Sequence, residues 1–205
     1  MHRRYFVVGY RAVFGVLALA AVITQFVRAV ITNGSDPVHF FSFFTIESNI
    51  LAIVVFLCTA AALACGSRRG YTVLRGATTL YMVTTGIIYT LLLSGNEVAL
   101  QTTIPWVNTV VHYLMPLVVL ADWLVDPPQR RIPFKRALVW LVFPLLYFAY
   151  SLLRGPNAGW YPYPFLDPRV QGYGRVISNG VVIAAAVVGL VAVLSVVRRR
   201  RDTRT

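Results

Sequence analysis

The chain has 205 residues, 58% of them hydrophobic and only 13% charged, with a mean hydropathy of +0.68. That balance excludes an ordinary soluble domain and describes an integral membrane protein. The formal charge of +12 sits in short basic clusters between apolar runs rather than along an amphipathic face, so membrane topology accounts for it and no nucleic-acid partner is expected.

The first apolar segment covers residues 5–31. Ala18-Leu19-Ala20 has the look of a signal-peptidase site, but the apolar run continues to Val30, which reads as an uncleaved signal anchor. Arg11 and Arg28 lie near its two ends, where their stems can snorkel to the interfaces. Further segments follow at 40–65, 72–94, 104–125, 135–153 and 175–197, each long enough for about 30 Å of hydrocarbon. The expected fold is all-α: a single six-helix transmembrane domain spanning 1–205. Cys58 and Cys65 are seven residues apart on one helix, about 10 Å at helical rise, too far to bridge, and they read as packing residues. Arg68, Arg69, Arg75, Arg130, Arg131, Lys135, Arg136 and the tail 198–201 mark one side, whereas 32–42 and 95–103 contain no lysine or arginine. Both termini are therefore expected in the cytoplasm. Arginine well in excess of lysine, with abundant alanine and valine, suits a high-GC bacterium and hence a bacterial cytoplasmic membrane.

Polar residues inside the apolar runs need partners within the protein, because hydrocarbon offers none. Thr45, Ser48 and Asn49 share one helical face by i, i+3, i+4 spacing, whereas Glu47 points about 200° away from Thr45. Glu47 is expected to pair with Arg28, the other reading being a carboxylate that orients a histidine. In the fourth segment Asn108, Thr109 and His112 share a face. Pro116 removes a backbone hydrogen bond and crowds the carbonyl of His112, which predicts a kink there. Counted from the outer helix ends, Thr45 lies about 8 Å deep and His112 about 12 Å, and Thr84, Thr85 and Tyr89 fall in the same half. An outward polar cavity with Thr45 and His112 as its chemical pair follows. Asp122 and Asp126 read as interfacial charges. The long connection 154–174, rich in proline, glycine and aromatics, reads either as a lid carrying Trp160, Tyr161 and Tyr163 or as an interfacial aromatic belt.

The aromatic run ending in Thr45 with an acidic residue two positions on, and Asn108-Thr109-Val110-Val111-His112 followed by Pro116, resemble the threonine and histidine motifs of the androgen-induced membrane proteins. These are six-helix intramembrane hydrolases of fatty-acid esters of hydroxy fatty acids. The resemblance extends over most of the chain and implies that Thr45 is a nucleophile and His112 its base. A threonine hydroxyl needs such a base to attack an ester. Asn49 or Asn108 would then donate to the oxyanion, with Ser48 as a further polar contact. A lipid in the bilayer is the implied substrate. No metal or organic cofactor is expected, because His112 has no ligand set at metal spacing. The competing expectation is a membrane protein that binds or transports a lipid or small molecule without cutting it.

Reporters fused after Thr205 and inserted beside Trp160 should fall on opposite sides of the membrane. Signals from the same side would remove the six-helix topology.

Overall fold

A computed structural model describes residues 2–67, 71–95 and 103–198, which are helical with no strand among them. Arg68, Arg69 and 199–201, which entered the orientation reading, lie outside the described residues. Six helices are long and apolar enough to cross a membrane: α1 (His2–Thr32), α3 (Phe44–Ala64), α4 (Thr72–Leu93), α5 (Pro105–Val125), α6 (Phe134–Ala158) and α7 (Pro168–Val196). A short helix, α2 (Pro37–Phe41), links α1 to α3. Large apolar side chains such as Val13, Val16, Leu117, Leu146 and Val181 are exposed on the outside, a surface that suits lipid and would be costly in water.

Three expected boundaries shift for local reasons. The apolar run at 40–65 breaks at Ser42: its hydroxyl bonds the Val38 carbonyl at 2.6 Å, and Tyr147 Oη donates to the Ser42 carbonyl at 3.0 Å. A new helix then starts at Phe44. The fifth helix runs on through Pro156 to Ala158, well past residue 153. The last helix begins at Pro168 but bends at Gly172, whose φ of 76° only glycine adopts readily.

Helices α1, α3, α4 and α5 form the tightly packed side of the bundle, with α1 against α3 and α4 against α5. Ala18, Ala21, Ala52, Met82, Val111 and Met115 are almost fully buried along these seams. Helices α6 and α7 stand against α4 through a second, aromatic-rich core that includes Phe44, Tyr81, Trp123 and Trp140. Tyr81 Oη donates to the Trp140 carbonyl at 2.9 Å, and Trp123 Nε1 to the Leu194 carbonyl at 3.3 Å. Cys58 and Cys65 both face outward, so neither has the packing role expected of it.

At the end of the bundle that carries the N-terminus, the helices are joined by charge. Arg11 is 2% exposed and Asp122 6% exposed, which corrects the reading of Arg11 as snorkelling and Asp122 as interfacial. Arg11 Nε meets Asp122 Oδ1 at 2.7 Å, while Arg75 Nη2 meets Asp122 Oδ2 at 2.7 Å. Asp126 Oδ2 lies 2.8 Å from Arg11 Nη2, and the Asp126 backbone carbonyl accepts from Arg75 Nη2 at 2.8 Å. One carboxylate thus holds α1 and α4 onto α5.

Removing one member of a buried ion group leaves the others uncompensated. Asp122→Asn is expected to cost about 3–5 kcal/mol, lowering Tm in detergent by roughly 10 °C for a chain this long. Glu47→Gln, which breaks no ion pair among the described residues, should cost far less. An unchanged Tm in Asp122→Asn would show that the network does not hold the helices.

Candidate functional site

Because α3 starts at Phe44, Thr45 lies in its first turn, where backbone N–H groups have no helical acceptor. No side chain of the N-cap residue, Phe43, fills that role. Tyr163, from the connection between α6 and α7, accepts the Thr45 N–H at 3.2 Å, and its hydroxyl lies 3.4 Å from Thr45 Oγ1. Burial pushes the Tyr163 hydroxyl up to about 12; its hydrogen bonds to Thr45 oppose the shift, and the Glu47 charge adds to it. Tyr163 is therefore protonated at neutral pH. With its oxygen accepting from the backbone, its own proton is directed to Thr45 Oγ1 or to a ligand.

His112 lies in a π-helical turn, Val110–Leu114, ahead of the α-helical stretch that begins at Met115. The kink expected from Pro116 takes this form, a widened turn of the kind often found at functional sites. Gly86 of α4 faces it: a Cβ there would come within 2.9 Å of Pro116 Cβ and 3.5 Å of the His112 carbonyl, so glycine sets how closely the two helices approach. His112 Nδ1 is 2.7 Å from Asn108 Oδ1, and Asn108 Nδ2 donates to Tyr89 Oη at 2.7 Å. The imidazole stacks on the Tyr89 ring with centroids 3.8 Å apart. An amide oxygen only accepts, so Nδ1 carries the proton and Nε2 is the basic nitrogen of the neutral ring.

Asn49 joins these two halves. Its amide nitrogen donates to the Thr45 carbonyl at 2.9 Å and to the Val111 carbonyl at 3.2 Å, which places the backbone of the threonine and of the segment bearing the histidine on one side chain. No hydrogen bond joins Thr45 to His112 directly among the described residues. Both amide hydrogens of Asn49 are used in these contacts, which leaves neither free for the oxyanion expected of it. Tyr163, expected as a lid residue, is the hydroxyl beside Thr45. Tyr89 was legible as a polar group at the right depth, but nothing in the sequence indicated that its ring would stack on the histidine.

An apolar cavity of about 370 Å³ extends from this point between α3, α4, α6 and α7. Phe148, Ile183, Ala184 and Val187 line its length, and Thr45, Thr84, Thr85 and Tyr163 form its polar end. Leu145, Ile177 and Val181 belong both to its wall and to the exposed outer surface, so it opens sideways between α6 and α7. The volume lies within the range of small-molecule sites. Around the polar end, Glu47 Oε2, Ser48 Oγ, Asn49 Oδ1, Thr84 Oγ1 and Thr85 Oγ1 are buried without a partner among the described residues. Such atoms call for water or a ligand's polar group.

Glu47 makes no ion pair with Arg28, which is exposed at the end of α1. The connection folds inward. Trp160 stacks on His39 with centroids 4.2 Å apart, and Tyr161 packs so closely on Gly155 that a side chain there would run into its ring. Tyr161 and Tyr163 are 8% and 5% exposed, too buried for an interfacial belt. Asp167 fastens the segment: it caps α7 through the Arg169 N–H at 2.9 Å and pairs with the Arg169 guanidinium at 2.7 Å, while Arg169 Nη1 reaches the Gly159 carbonyl at 2.6 Å. Among the described residues no three His, Cys, Asp or Glu side chains converge as metal ligands. Neither a family model, nor a curated protein, nor a solved structure matches the chain.

The Arg169 hydrogen bonds hold the Asp167 carboxyl below its ordinary value of 3.8. A depressed acid contributes stability above its unfolded pKa and loses it as pH falls through the folded one, so the clasp should loosen below about pH 4. Protease cleavage within 159–167 should accelerate there in the wild type. In Asp167→Asn cleavage should already be fast at pH 7. Equal rates for wild type and variant at pH 7 would show that the ion pair does not hold the segment.

Proposed function

We propose that the protein is an intramembrane hydrolase of lipid esters of the fatty-acid ester of hydroxy fatty acid type, with Thr45 as nucleophile and His112 as base. The observation that carries this reading is the cavity: an apolar, laterally open chamber with Thr45 and Tyr163 in its wall. It suits an acyl chain entering from the bilayer with its ester carbonyl at the polar end.

In this reading Thr45 Oγ1 leaves Tyr163 and engages the imidazole directly or through one water. His112 Nε2 takes the hydroxyl proton as oxygen attacks the ester carbonyl, Tyr163 donates to the oxyanion, and the imidazolium returns the proton to the departing alkoxide. Water, held by Ser48, Thr84 and Thr85, then cleaves the acyl-threonine with His112 again as base. Asn108 fixes the tautomer. Glu47 acts through its charge near Tyr163 rather than on the histidine. The arginine distribution supports cytoplasmic termini, and on this reading the site lies in the opposite leaflet of a bacterial cytoplasmic membrane.

The pairing of Thr45 with Tyr163 favours a second reading, a lipid-binding or transport protein in which the same chamber holds an acyl chain without turnover. Reconstituted protein separates the two. Thr45→Ala and His112→Ala should each abolish hydrolysis and labelling by a lipid-directed hydrolase probe, and the double variant should be no worse, since nucleophile and base act as a unit. Tyr163→Phe should lower kcat by about 10²–10³. Saturable fatty-acid binding without turnover in the wild type leaves the second reading.

A further inference from the structure

A second cavity lies at the opposite end of the bundle, beside the N-terminus. It measures about 840 Å³ and is enclosed by α1, the end of α3, the first turn of α4, residues 126–133 and the start of α6. Seven arginines line it against a single aspartate, Asp126. Even with buried Asp122 counted, five positive charges are in excess.

Topology explains arginines at this face but not their convergence on one chamber. Arg11 and Arg75 form its floor, fixed by Asp122 and Asp126. Arg4 is tied to the Leu63 and Ala64 carbonyls at 2.9 and 3.0 Å. Arg130, Arg131 and Arg136 line the opposite wall with no carboxylate partner among the described residues. Two further observations point to a ligand. Arg75 is 8% exposed, yet its Nε is buried without a partner among the described residues. Thr72 and Val73, in the first turn of α4, also line the cavity, and the N-cap Tyr71 makes no side-chain cap, so the positive helix end borders the same space.

We propose that this chamber binds a phosphate-bearing anion. Guanidinium forks and helix amides match phosphate oxygens in geometry and charge. The aspartates hold the floor arginines in place before the ligand arrives, and the exposed Arg130, Arg131 and Arg136 meet it from the opposite wall. Both a lipid headgroup with an ionised phosphate monoester and free inorganic phosphate present this chemistry.

The test is thermal unfolding of the full chain in neutral detergent, titrated with phosphatidic acid, phosphatidylcholine or inorganic phosphate. A ligand that binds only the folded state raises Tm with concentration and saturates. Phosphatidic acid acting where the other two do not identifies a lipid headgroup, and inorganic phosphate acting alone identifies a soluble ligand. The variant Arg130→Gln/Arg131→Gln/Arg136→Gln should keep the ligand-free Tm and lose about tenfold or more in affinity. If its ligand-free Tm falls, Arg136→Gln alone is read in the same titration and should weaken binding severalfold. The proposal is overturned if neither anion raises Tm, if the variants bind as tightly as wild type, or if the shift never saturates and vanishes in moderate salt, which is diffuse headgroup attraction.

Discussion

A single carboxylate holds three of the long apolar helices together. Asp122 receives Arg11 from α1 and Arg75 from α4, and with the carboxylate buried between helices, losing either arginine would leave charge uncompensated. The hydrophobic effect does not pull helices together inside a bilayer, where lipid tails are as apolar as leucine. Directional polar contacts must therefore set which helices are neighbours, and the Arg11–Asp122–Arg75 group does so at one end.

The other end of the bundle follows a different rule. There the helices meet through neutral donors and acceptors: Asn49 across to Val111, Asn108 to Tyr89 and His112, and Tyr163 to the start of α3. Hydroxyls and amides can exchange partners at small cost, whereas buried ion pairs cannot. Rigid charge at one end and adaptable hydrogen bonding at the other give a scaffold whose anchored side positions a side that can rearrange around a ligand.

Much of this was legible in the sequence. Six spans emerge from hydropathy because length and apolarity are all a bilayer requires, and polar residues at matching depth drew attention to Thr45, Asn49, Asn108 and His112. What escaped depends on helical phase and on chain that has no period. Residues near a helix end look alike whether they point to water or inward, so Arg11 and Asp122 were read as interfacial. The break at Ser42 is invisible to hydropathy, because Tyr147 and Tyr150, 105 and 108 residues away, supply the contacts that stabilise it. Tyr163 lies in a proline-rich connection where no periodicity relates it to Thr45.

The π-turn at Val110–Leu114 has a consequence for how α5 serves both ends at once. His112 and Asp122 must face different partners, the first toward Tyr89 and the second toward Arg11 and Arg75. A widened turn accommodates one residue more than an α-helical turn does, and each residue carries about 100° of rotation. The bulge therefore acts as a phase adjuster that lets two recognition faces on one rod be set independently. Shortening α5 by a single residue there would straighten it into continuous α-helix and turn Asp122 by roughly a quarter of a revolution relative to His112. Either the charge cluster or the histidine's surroundings would then fall out of alignment, so the one-residue excess is a coupling element between two ends that share no direct contact.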